Sequence, residues 1–143
     1  MRCEEIMNVD VERVRGSESI HEAAARMRDR DIGFLPVVDD RGAVVGTLTD
    51  RDIVLRVVAE GGDLASPVSL CMTREVIACF AGDDVAKVRD LMAQYQKSRV
   101  IVLDDRGLLV GVVSLADLAR GPDEQATGET VREVKSDVVV PGT

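Results

Sequence analysis

The chain has 143 residues and a mass of 15.5 kDa, which is room for one compact body but not for a catalytic domain beside a separate regulatory one. Its 45% hydrophobic and 31% charged residues read as globular, and no apolar run approaches the roughly 20 residues that span a bilayer, so no membrane partner is expected. The net charge of −8 argues against a phosphate-tracking surface and therefore against nucleic acid as a partner.

In chain order, Met1-Arg2-Cys3-Glu4-Glu5 carries two acids and no apolar stretch, so no secretory signal is legible and the expected compartment is the cytoplasm. Ser17 and Ser19 are helix-cap candidates, and Ser19 with Glu22 has capping-box spacing. Ile20, Ala23, Ala24 and Met27 then form the stripe of a helix of about three turns. Phe34–Val38, the tetrad Asp39-Asp40-Arg41-Gly42 and Ala43–Leu48 read as strand, tight turn and strand, with glycine at the left-handed position. Thr49 caps a second helix expected from Asp50 to about Val58, with Ile53, Val54 and Val57 facing inward. Glu60-Gly61-Gly62-Asp63 is a turn, and Ser66-Pro67 is expected to open a short connecting helix with proline at its first position.

The same order then returns. Val76–Phe80 reads as a strand, Asp84–Gln96 as a helix, Arg99–Leu103 and Leu108–Val113 as strands, and a last helix starts at Ser114. A gapless shift of 65 residues superposes the two copies: Met7 falls on Met72, Met27 on Met92, Val37 on Val102, Asp39–Gly42 on Asp104–Gly107, Val45-Gly46 on Val110-Gly111 and Asp52 on Asp117. The expected fold class is α/β (α+β), built from two β-α-β-β-α units at residues 6–58 and 71–120. A linker with a short helix spans 59–70, and a disordered tail is expected over 121–143.

Most recurring residues need no function: Gly42 and Gly107 suit turns, and the methionines fill core gaps. Cys3, Cys71 and Cys79 match no zinc spacing and are expected as buried or idle thiols, so no metal is expected. His21, the one histidine, lies on the exposed side of its helix, and with no nucleophile–base pair in view the chain is read as not an enzyme.

The pattern Gly-x-x-Ser/Thr-x-x-Asp stands at Gly46–Asp52 and again at Gly111–Asp117. It puts a hydroxyl at a strand-to-helix junction and an acid one turn later. Two readings fit: a capping box, or a nucleotide site in which helix N–H groups and the hydroxyl meet an anion while the carboxylate accepts ribose hydroxyls.

These residues, with Ile32-Gly33-Phe34-Leu35-Pro36-Val37-Val38-Asp39, Gly46-Thr47-Leu48-Thr49-Asp50-Arg51-Asp52-Ile53-Val54 and the stretch from Arg99 to Asp117, resemble a tandem pair of CBS domains, also called a Bateman module. The likeness covers about residues 6 to 120. It is strongest to small stand-alone bacterial CBS-pair proteins of the stress- and hypoxia-response type. The resemblance implies two repeats packed about a pseudo-twofold axis and a regulatory, non-catalytic module binding AMP, ADP or ATP in clefts between them. NAD and S-adenosylmethionine are further ligand candidates, and no cofactor is required.

By position, it also implies one cleft in which Ser114 and Asp117 face Ile32 and Gly33, and another in which Thr49 and Asp52 face Ile77, Lys97 and Ser98. Arg99 is expected to meet phosphate with help from Arg51. Because Phe34 stands where the other copy has Arg99, the two clefts are expected to be unequal. The other reading is a ligand-free structural pair whose role is homodimerisation or docking to an unknown protein partner. A homodimer is expected under either reading.

Overall fold

The computed structural model describes residues 1–120, so the tail expected over 121–143 lies outside the described residues. Two compact units emerge, each with its own sheet and core. One is Val11–Val76; the other joins Met1–Asp10 to the chain from Ile77 onward. We call them the first and second units.

In the first unit β1 (Val14–Arg15) runs parallel to β2 (Phe34–Val38), and β2 pairs antiparallel with β3 (Val44–Thr49), giving the order β1-β2-β3. A parallel pair needs a long crossover, and α1 (Ile20–Arg30) supplies it. Ser19 caps α1 by accepting the Glu22 N–H at 3.1 Å, while Asp31 ends it in the left-handed conformation at φ 52°. The expected stripe is the buried one: Ile20, Ala23 and Met27 join Val14, Leu35, Val37, Leu48, Ile53 and Val57 in one core, with Ala24 packed at its edge. His21 is exposed.

The second unit repeats this plan. It has β4 (Ala78–Phe80) parallel to β5 (Arg99–Leu103), β6 (Leu109–Ser114) antiparallel to β5, and α3 (Val85–Tyr95) as the crossover. Asp84 caps α3, and Val85, Val88 and Met92 bury against Cys79, Val100, Val102 and Val113.

The two hairpin turns are built alike. Gly42 sits at φ 84° and Gly107 at φ 80°, a conformation that suits glycine. Asp39 accepts the N–H groups of Arg41 and Ala43 at 2.9 and 3.0 Å, and Asp104 accepts those of Arg106 and Leu108 at 2.8 and 2.9 Å. Past each turn the register shifts: Val38 pairs with Val44 but Val37 with Gly46, and Leu103 with Leu109 but Val102 with Gly111.

Each unit also takes in a segment that precedes its neighbour's repeat in sequence. Val68–Leu70 forms a 3-10 turn in the first unit and Cys3–Glu5 forms the matching turn in the second. The bonds correspond pair by pair. Val68 N–H donates to the Glu18 carbonyl at 2.8 Å, as Cys3 N–H donates to that of Asp83 at 2.8 Å. Thr73 exchanges backbone bonds with Thr47, as Asn8 does with Val112.

Several local expectations change, the simplest being that β4 starts at Ala78 rather than Val76. Pro67 is the cap rather than the first helical residue, because its ψ of 148° is extended. Val54 faces outward and is 53% exposed, since only Ile53 and Val57, four residues apart, can share the buried face. Beyond Ile53 the helix widens into a π-turn over Val54–Val58, closed by the bond from Ala59 N–H to the Val54 carbonyl at 2.9 Å. Among the described residues no helix is long and apolar enough to cross a membrane.

Candidate functional site

In the first unit the Gly-x-x-Thr-x-x-Asp heptad ends β3 and opens α2 (Asp50–Ile53). Thr49 Oγ1 accepts the Asp52 N–H at 3.1 Å, and Asp52 Oδ2 accepts the Thr49 N–H at 3.0 Å. In the second unit Ser114 opens α4 (Leu115–Ala119) in the same way. Its Oγ accepts the Asp117 N–H at 3.1 Å, and Asp117 Oδ2 accepts the Ser114 N–H at 2.7 Å. Both heptads therefore form full capping boxes, and each acid spends one oxygen on its own helix end.

The second oxygens are held differently. Asp52 Oδ1 accepts from Thr73 Oγ1 at 3.4 Å and lies 3.8 Å from the Arg56 guanidinium, four residues along. Asp117 Oδ1 pairs with Arg120, three residues along. Asp117 is 8% exposed and is the one buried charged residue among those described, so its arginine neutralises a carboxylate that burial would penalise. A carboxylate has about four lone-pair sites. Each acid thus keeps acceptor capacity beyond its cap and cation, which two adjacent hydroxyls of a sugar could use.

The flanking candidates sit at matching places in the two sheets. Phe34 pairs across the hairpin with Thr49, and Arg99 with Ser114, so each stands beside its own heptad hydroxyl. Gly33 accepts the Asp50 N–H at 3.1 Å and Ser98 accepts that of Leu115 at 2.8 Å, tying each strand start to the first turn of its helix. A Cβ on Gly33 would come within 2.7 Å of the Asp50 carboxylate, so the glycine lets that acid lie over the strand. Ile32 is half-buried against the first core, and Ile77 packs on the second core and accepts the Ile101 N–H at 3.0 Å. Arg51, Lys97 and Arg99 are exposed. Within each unit, then, the candidates gather at the end of the sheet where the heptad lies. Thr49, Arg51 and Asp52 join Ile32, Gly33 and Phe34 in the first unit. Ser114 and Asp117 join Ile77, Lys97, Ser98 and Arg99 in the second.

Three contacts to the acids were not anticipated. Arg56 and Arg120 had a signal, since four- and three-residue spacing from an acid on a helix brings a cation onto it. Thr73 had none, because its position depends on pairing with Thr47.

The profile of the CBS domain matches residues 3–59 and again 65–123, two copies that leave little of the described chain outside. The chain belongs to the CBS-domain family. CBS domain-containing protein YhcV of Bacillus subtilis is 40% identical over 113 residues, 79% of each chain. Hypoxic response protein 1 of Mycobacterium tuberculosis is 35% identical over 133 residues, 92% of each. The crystal structure of the CBS domain pair of protein MJ0100, in complex with 5′-methylthioadenosine and S-adenosyl-L-methionine, superposes with a TM-score of 0.74 at 31% identity, covering 84% of this chain and 94% of that one. The family resemblance, the mixed α/β class and the likeness to stand-alone CBS pairs including a hypoxic response protein are thus borne out.

Proposed function

We propose that this protein is a non-catalytic sensor that binds an adenosine-containing ligand, AMP, ADP or ATP before NAD or S-adenosylmethionine, and passes the change to a partner. The observation that carries this reading is the twofold presence of a complete hydroxyl–acid heptad, each acid with an oxygen beyond its cap. The solved CBS pair with adenosyl ligands supports the ligand class. In this reading Asp117 with Ser114 and Asp52 with Thr49 take ribose hydroxyls, while Ile32 and Gly33 in the first unit, and separately Ile77 in the second, each offer an apolar surface to a base. Lys97 and Ser98 join Ile77 on the base side, and Arg99 in the second unit and Arg51 in the first are the residues that meet phosphate. A ligand with different affinity for two packings of the pair is sufficient to shift their populations. We place the protein in the cytoplasm and expect it to work as a homodimer.

The acids' existing bonds favour a second reading, a structural pair that holds no ligand and serves dimerisation or docking. Asp52 and Asp117 are both already engaged by caps and arginines. A thermal-shift panel of AMP, ADP, ATP, NAD and S-adenosylmethionine separates the two, because a ligand of the native state must raise its apparent stability. A rise with at least one adenosine compound is expected; no rise with any at millimolar concentration supports the structural reading.

A further inference from the structure

The heptads leave one reactive cluster unused. In the second unit the Cys79 thiol donates to Cys3 Sγ at 3.5 Å, and both residues are buried, at 1% and 0% exposure. The pair lies 76 residues apart in sequence and meets because the Cys3–Glu5 turn docks on β4 and on the residues just ahead of α3. Packing alone does not call for sulfur here. The residues at the matching places in the first unit are Val68 and Val14, both fully buried in an equivalent core. Two valines fill one copy of this space; two thiols in contact fill the other.

We propose that Cys3 and Cys79 are a modification site, closing to an intramolecular disulfide when the protein meets a hydroperoxide and reopening with a dithiol. Cys3 is the attacking thiol. The bond donated by Cys79 holds its pKa below the usual thiol value, against burial and the charges of Asp83 and Asp84. Cys79, whose proton is engaged on Cys3 and which is buried, is pushed upward. In the first step the sulfur of Cys3 attacks the peroxide oxygen; an S–O bond forms, the O–O bond breaks, and the alcohol leaves with the proton that Cys3 gave up. In the second, Cys79 sulfur attacks Cys3 sulfur; the S–S bond forms, the S–O bond breaks, and hydroxide leaves as water with the Cys79 proton. Two thiols lose two electrons and the hydroperoxide gains them.

The sulfurs must close from 3.5 Å to about 2.05 Å, a side-chain adjustment. Entry of the oxidant requires the N-terminal segment to open locally, which breaks the backbone bonds of Cys3 to Asp83, Glu4 to Ala81, Val85 to Met1 and the Asn8–Val112 pair, together with the ion pair between the amino terminus and Asp84. Once formed, the disulfide fixes this segment to β4.

The test treats the full chain with hydrogen peroxide, then measures intact mass, tryptic peptides and melting temperature before and after dithiothreitol. The expected result is a loss of about 2 Da, a cross-linked pair of peptides 3–13 and 75–87, and a rise in Tm of roughly 10 °C that dithiothreitol reverses. Cys79→Val, which copies the packing of the first unit, should fold and show none of these changes, whereas Cys71→Ser should keep them all. Absence of the 3–13/75–87 link in the folded wild type overturns the proposal. So does a link through Cys71, or a gain of oxygen on Cys3 without cross-linking.

Discussion

At the scale of single residues, the four heptad side chains close helix caps and, in the proposed function, also hold the ligand. Thr49 and Ser114 satisfy helix N–H groups that would otherwise lack a partner, and Asp52 and Asp117 return the bond. Removing either acid should therefore cost about 1 kcal/mol of stability through the cap and, separately, about 1.5–3 kcal/mol of ligand affinity through a charged hydrogen bond. Urea melts of Asp52→Ala and Asp117→Ala measure the first and titration calorimetry the second. Arg99 provides a sharper distinction, since it stands opposite Ser114 where the first unit has Phe34 opposite Thr49. A guanidinium can bind phosphate in a bidentate, charge-assisted way and a phenyl ring cannot. Arg99→Ala should weaken AMP or ATP at least tenfold and adenosine little; equal loss of both would make Arg99 a support of the strand end. Glu18, held below the usual carboxylate pKa chiefly by its hydrogen bond from Arg26, contributes stability at neutral pH that fades as acid protonates it. An Arg26→Met variant should lose less stability than wild type between pH 6 and 3, which are values chosen to bracket roughly the carboxylate range.

At the scale of elements, the close approach of each docked segment to its sheet depends on one glycine. A Cβ on Gly46 would lie 2.8 Å from both the Thr73 carbonyl and the Met72 sulfur. One on Gly111 would lie 3.0 Å from the Asn8 carbonyl and 2.6 Å from the Met7 sulfur. Backbone cannot yield as a methionine can, so Gly46→Ala and Gly111→Ala should each destabilise by about 1–3 kcal/mol, read as a lowered urea midpoint. Strands β2 to β6, the α1 stripe and the two hairpin turns were legible in the sequence because period, capping residues and the Asp-Asp-Arg-Gly tetrad are local signals; β1, only two residues long, has no period to show. The π-turn after Ile53 was not, because Asp50–Val58 continues one helical pattern and the widening is a matter of hydrogen-bond partner. Likewise, the 65-residue repeat revealed that Asn8 and Thr73 correspond, but not that each would pair with a strand. The capping boxes were legible as one of two readings of the heptad. The cations on their acids follow from helical spacing just past the motif, Arg56 four residues beyond Asp52 and Arg120 three beyond Asp117.

At the scale of the whole molecule, the π-turn segment leaves Val54, Leu55 and Val58 exposed at 53, 48 and 60%. A cluster of this kind on one short segment suits a protein contact. With the self-association common to symmetric assemblies, sedimentation equilibrium is expected to give twice 15.5 kDa at tens of micromolar protein. Val54→Asp with Val58→Asp should reduce it to the single-chain mass without unfolding; a single-chain mass in the wild type removes the homodimer. The central claim, that the chain senses an adenosine-containing ligand through its two acids, is tested most directly by calorimetric titration of wild type and the Asp52→Ala/Asp117→Ala double variant with AMP, ATP and S-adenosylmethionine. Saturable binding of at least one of them to the wild type, lost in a double variant whose circular dichroism is unchanged, is the predicted result. Equal affinity in both proteins, or no heat from any of the three ligands, would contradict it.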